Sequence, residues 1–162
     1  MTSKIIGLVL PSFPAYSETF FHSKIQGLEK NGYTVILFIN DSHFKESTNY
    51  TIKKQFPIFN KFFQVFIMLF LFLFLLLFKN KTILKFIALE KASKRNTLQI
   101  IKNIYLNAHI FLTKVDILHF GFATTTLGKE NTAKAIKAKM VVSFRGFDIS
   151  IYPLNIIVFS LI

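Results

Sequence analysis

Apolar residues in this chain fall into short continuous runs separated by stretches of helical spacing. Ile5 to Leu10 is the first run, rich in β-branched residues, and it suits a strand covered on both faces. Pro11 and Pro14 end it, because proline cannot donate to a ladder. Ser17 then stands as an N-cap, with Glu18 in the first helical turn, where the helix dipole favours a negative charge. Phe21, Ile25 and Leu28 recur at helical spacing, and Asn31-Gly32 closes the helix. Tyr33 to Ile39, Val115 to Phe120 and Lys139 to Phe144 are further strand-like runs. Ala123 to Ala138 reads as one helix, with Leu127, Ala133 and Ile136 on its apolar side. The order of these elements predicts an α/β fold, a Rossmann-like doubly wound parallel sheet.

Two stretches break this rhythm. Asn40 to Gln55 is polar without a period and is predicted to be a loop. Phe62 to Phe78 is almost wholly apolar, flanked by Lys61, Lys79 and Lys81. Its 14 uninterrupted apolar residues from Val65 to Phe78 would rise about 21 Å as a helix. A hydrocarbon core is roughly 30 Å thick, so a spanning helix is marginal. A helix buried against the sheet, or one lying in a membrane interface, accounts better for the length. Strands on both sides of the segment must also join one sheet, which argues against a crossing. Lys79 to Thr113 continues as two basic helices, the second capped at Asn96-Thr97. Its lysines, with Arg95, are countered only by Glu90, and beside a Phe/Leu helix they suit anionic lipid headgroups.

Composition adds a bias. The chain has 162 residues, a net charge of +12, 21 phenylalanines and no cysteine. One domain with a real core is expected, and disulfides and thiolate metal sites are excluded. A basic, apolar chain points to a membrane surface or an anionic partner. Nucleic acid is disfavoured, because Arg95 and Arg145 are the only arginines and no dense basic patch is interleaved with exposed aromatics.

In a doubly wound sheet ligands bind beyond the carboxyl ends of the strands. Candidate chemistry therefore gathers at Ser17, Glu18 and Thr19, at His119 and Gly121, and at Arg145, Gly146 and Asp148. Arg145 suits bidentate anion binding, and His119 a base or hydrogen-bond donor. The alternative for Arg145 and Asp148 is an ion pair stitching their loop, and for His119 a satisfied half-buried histidine. The chain has no Gly-x-Gly-x-x-Gly, P-loop or His-Glu-x-x-His, the marks of a dinucleotide enzyme, an NTPase and a zinc hydrolase.

Three segments carry a family likeness. Pro11-Ser-Phe-Pro-Ala-Tyr-Ser-Glu-Thr-Phe20, Leu118-His-Phe-Gly-Phe-Ala123 and Val142-Ser-Phe-Arg-Gly-Phe-Asp-Ile149 with Tyr152-Pro153 resemble the N-terminal domain of bacterial family 4 (group 1) glycosyltransferases. The exopolysaccharide and colanic-acid-type branch is the most similar. The resemblance implies a GT-B half that binds the acceptor, and retaining transfer from a nucleotide-sugar donor to a sugar or lipid-linked acceptor, with no metal and no further cofactor. It implies catalytic roles for His119, Arg145 and Asp148, and substrate contacts for Ser17, Glu18, Thr19, Gly121 and Gly146. It also implies peripheral placement on the cytoplasmic face of the inner membrane. Residues 1–154 would form the domain, with 56–113 a membrane-docking helical insertion. Many relatives have paired glycines in the first loop and a histidine where this chain has Arg145. The family's second domain, with its Glu-x7-Glu motif, has no counterpart, and 155–162 is a charge-free apolar tail, as in a truncated, frameshifted or split gene. A fragment inactive alone is expected. The alternative is a small membrane-anchored binding protein with one hydrophobic helix.

Overall fold

The computed structural model describes residues 3–14, 19–41 and 50–144. They form β1 (Ile5–Leu10), α1 (Thr19–Lys30), β2 (Thr34–Ile39), β3 (Thr51–Lys54), α2 (Lys61–Ala92), α3 (Thr97–Phe111), β4 (Ile117–Phe120), a 3-10 turn (Ala123–Thr126), α4 (Thr132–Ala135) and β5 (Lys139–Val142). The five strands make one sheet in the order β3-β2-β1-β4-β5, and every pairing is parallel. The fold is thus α/β, with a parallel sheet and helices on both faces. The strand order reverses between β1 and β4. In such a sheet the connections leave in opposite directions at that point, beyond the carboxyl ends of the strands, where ligands bind in open α/β sheets.

Side chains alternate across the sheet. Leu8, Leu10, Val35, Leu37 and Ile39 meet Phe21 and Ile25 of α1 on one face. Val9, Ile36, Phe38, Leu118 and Phe120 meet Ile110 and Ala133 of α3 and α4 on the other. Gly7 is required on that second face. A Cβ there would lie 2.5 Å from the Phe38 ring and 3.2 Å from Val115. Helix α1 ends as its sequence predicts: Gly32, at φ +80, turns the chain while Gly32 and Tyr33 donate to the carbonyls of Glu29 and Leu28. Asn96 caps α3, its side chain accepting from the Gln99 N–H at 2.8 Å.

Three expectations require correction. The polar stretch 40–55 contains a strand, β3, hydrogen-bonded to β2. It is short, mostly exposed and ends in two lysines, the habit of an edge strand, so it shows no apolar alternation. The stretch 123–138 is not one helix. Thr125 and Thr126 turn their hydroxyls back onto the carbonyls of Phe122 and Ala123, each at 2.6 Å, and Gly128 takes φ +72. These local bonds and the left-handed glycine leave only a 3-10 turn and one turn of α-helix. The apolar stretch 62–78 does not pack against the sheet. It is the first part of α2, which continues to Ala92 past a kink at Lys79 (φ −133, ψ 32).

Helix α2 lies on α3 and α4, as a layer outside them. Leu71, Leu75, Ile83 and Phe86 close against Ile100, Ile104, Ala108 and Phe111. A buried polar cluster holds the far end. Glu90 is fully buried and accepts from Asn103 Nδ2 and Asn131 Nδ2, both at 2.7 Å. Arg95 lies 3.5 Å from Glu90 and 2.9 Å from Glu130. Among the basic residues of this region, Arg95 alone forms a described ion pair with Glu90.

Candidate functional site

Among the described residues, the rim beyond the carboxyl ends of β1 and β4 takes in residues 11–14 after β1, the start of α1, the residues after β4, and Ser143 and Phe144 after β5. His119 stands in β4 in register with Leu8 of β1 and Val141 of β5. Alternation turns Leu118 and Phe120 towards α3 and leaves His119 on the α1 side. Helix α1 brings Lys24 across, with its Nζ 3.1 Å from His119 Nε2. Ser143, directly after β5, places its Oγ 2.9 Å from the same nitrogen. Lys24 also sits over the Phe20 ring, 5.6 Å from its centroid.

His119 is buried, and its pKa is pushed down to about 4, first by loss of hydration and then by the neighbouring Lys24 charge. The imidazole is therefore neutral near pH 7. A lysine ammonium can only donate, so Nε2 accepts and the ring proton belongs on Nδ1. Two donors, Lys24 and Ser143, converge on one lone pair. At this pKa His119 is a weak proton acceptor at neutral pH and a good hydrogen-bond acceptor.

Gly121 follows β4 at the same rim, where packing requires a glycine. A Cβ there would run into Leu10 Cδ2 and sit 3.0 Å from the Phe21 ring. Its absence lets the loop after β4 close over β1 and α1. Thr19 opens α1 and is exposed. Ser17, Glu18, Arg145, Gly146 and Asp148 lie outside the described residues, as does the tail 155–162. Sequence reasoning overlooked Lys24 and Ser143. Lys24 borders the inward face set by Phe21 and Ile25, and Ser143 follows a strand end, but neither position announces the other.

A second polar region lies beneath α3. His109 is buried with both ring nitrogens lacking a hydrogen bond, and it meets the Phe38 ring edge-on at 5.6 Å. Its pKa falls to about 3, chiefly by burial and next by the charge of Lys129, with the Leu106 carbonyl acting the other way. Lys129 is itself buried, and that burial lowers its pKa against the opposing pull of Glu130. Among the described residues no group of three or more His, Asp or Glu side chains is placed to hold a metal.

Comparison of the chain with protein-family models, with curated proteins and with solved structures found no match.

Proposed function

We propose that the chain is the acceptor-side half of a retaining GT-B glycosyltransferase, transferring a hexosyl group from a nucleotide-sugar to a polysaccharide or lipid-linked acceptor. The observation that carries this reading is the convergence of Lys24, His119 and Ser143 at the point where a parallel sheet reverses its strand order. A sugar offers hydroxyls that both donate and accept. A neutral imidazole flanked by an ammonium and a serine hydroxyl matches such groups better than it matches a strongly basic or metal-bound substrate. The strand order is consistent with a Rossmann-like domain, and the described parts of the three sequence motifs follow or overlap the ends of β1, β4 and β5.

In this reading His119 orients an acceptor hydroxyl, and Arg145 and Asp148 take the catalytic roles that the family resemblance implies. Stabilisation of the leaving nucleotide belongs to the donor-binding half of such a fold, and acceptor binding to this one. The protein then sits peripherally on the cytoplasmic face of the inner membrane, where lipid-linked acceptors lie.

The test is saturation-transfer NMR of the chain against a panel of hexoses, oligosaccharides and lipid-linked sugars in detergent micelles. Selective saturation of one sugar class, lost in His119→Ala and weakened in Lys24→Met, is expected. Transfer from a nucleotide-sugar to that sugar class is expected when a donor-binding half is present. Binding that ignores both substitutions sinks the reading. The exposed face of α2 favours a second reading, a membrane-attached binding protein without catalysis. Sugar-independent binding of a protein partner would select it.

A further inference from the structure

We propose that the first half of α2 lies in the plane of an anionic bilayer and inserts its exposed apolar face into one leaflet, with the lysines after the kink on lipid phosphates. Among the described residues, Phe62–Ala92 is the helix long and apolar enough to cross a membrane by length and composition. The sheet forbids a single crossing. β1, β2 and β3 precede α2, β4 and β5 follow it, and β1 is hydrogen-bonded to β4.

The side facing away from α3 decides the mode of contact. Phe62, Phe66, Leu69, Phe70, Leu73 and Leu77 are all more than half exposed, and Phe62 reaches 90%. Their spacing places all six on one helical face along four turns, opposite Leu71 and Leu75, which are buried on α3. An apolar stripe of that length far exceeds the scattered single residues normal for a water-facing surface. Past Lys79 the exposed face changes character and carries Lys81, Lys85 and Lys91. The one acid of α2, Glu90, is buried in its polar cluster, so the exposed face has no carboxylate to offer those lysines.

A second copy of the chain would bring the same stripe and the same unanswered lysines. An anionic bilayer supplies hydrocarbon for the stripe and phosphates for the lysines together. A stripe running along the helix, and not confined to its tip, is met by in-plane insertion into the headgroup and acyl boundary.

The chain contains no tryptophan, so one introduced indole reports its own surroundings. Phe70→Trp reads the proposed lipid face, and Phe86→Trp reads the buried α2–α3 seam. The full chain is titrated with phosphatidylcholine vesicles, with and without phosphatidylglycerol, carrying bromines at shallow or deep acyl positions. With phosphatidylglycerol present, F70W emission is expected to shift to the blue and to be quenched most by shallow bromines, while F86W stays unchanged. Lys81→Gln with Lys85→Gln is expected to weaken binding to anionic vesicles by about fivefold per lysine. F70W emission indifferent to vesicles overturns the proposal. So does strongest quenching at the bilayer centre, which would mean a crossing. Emission already blue without lipid, in a chain of dimer mass that vesicles do not dissociate, assigns the stripe to a second copy and also overturns it.

Discussion

Lys24 of α1 and His119 of β4 stand 95 residues apart in the chain and 3.1 Å apart in the fold. The contact joins the first βα unit to the strand on the far side of the switch point, so it exists only when β4 has docked beside β1. Ser143, directly after β5, meets the same nitrogen. Three elements thus share one imidazole.

The His119 titration is the direct readout of this arrangement. Its ring is expected to protonate at about pH 4 by NMR, against an ordinary value of 6.5. Lys24→Met should raise that midpoint without restoring 6.5, because burial is the larger cause and remains. A midpoint unchanged by Lys24→Met would show that the ammonium does not act on the ring.

Stability should follow from the same shifts. The unfolded chain binds protons on His119 and His109 near 6.5, whereas the folded chain binds them only at about 4 and about 3. Between these limits the unfolded state holds more protons, so stability falls as the pH is lowered from about 6.5 to about 3. Each imidazole adds a slope of at most about 1.4 kcal/mol per pH unit. Urea denaturation at stepped pH measures it, and His109→Phe should flatten the lower part of the curve.

Substitution at Gly121 separates a packing role from a binding role. Gly121→Ala puts a methyl into Leu10 and the Phe21 ring. A loss of about 1–3 kcal/mol in chemical denaturation is expected. Unchanged stability with lost sugar binding would instead place Gly121 in direct contact with ligand.

Glu90 is expected to be the most sensitive polar position. Glu90→Ala leaves Asn103, Asn131 and Arg95 facing a buried gap, at a cost of about 3–5 kcal/mol. Arg95→Ala should cost less, since Glu90 keeps both asparagine bonds and the side chain of Arg95's other partner, Glu130, is partly exposed.

The two faces of α2 should respond in opposite ways to the same change. Phe86→Ala empties a fully buried site beside Phe111 and should cost about 3–5 kcal/mol. Phe70→Ala, on the exposed face, should leave the melting curve of the protein in solution nearly unchanged. Equal losses at both positions would mean that the exposed face is covered in solution.

The local sequence alone determined the four main strands, the start of α3 at Asn96 and the end of α1 at Gly32. Those features rest on local physics: an apolar run, a capping side chain, a glycine free to take positive φ. It also placed His119 and Gly121 at a strand end. β3 escaped notice because an exposed edge strand needs no apolar alternation, and the 123–138 helix failed because threonine hydroxyls and Gly128 outbid its periodicity. Only the tertiary structure decided the rest. Lys24 and Ser143 meet His119 through strand order, which no local pattern encodes. α2 is apolar all round, so its sequence cannot say which side is covered. Docking on α3 buries Leu71 and Leu75 and, by the geometry of a helix, leaves Phe62, Phe66 and Phe70 outward.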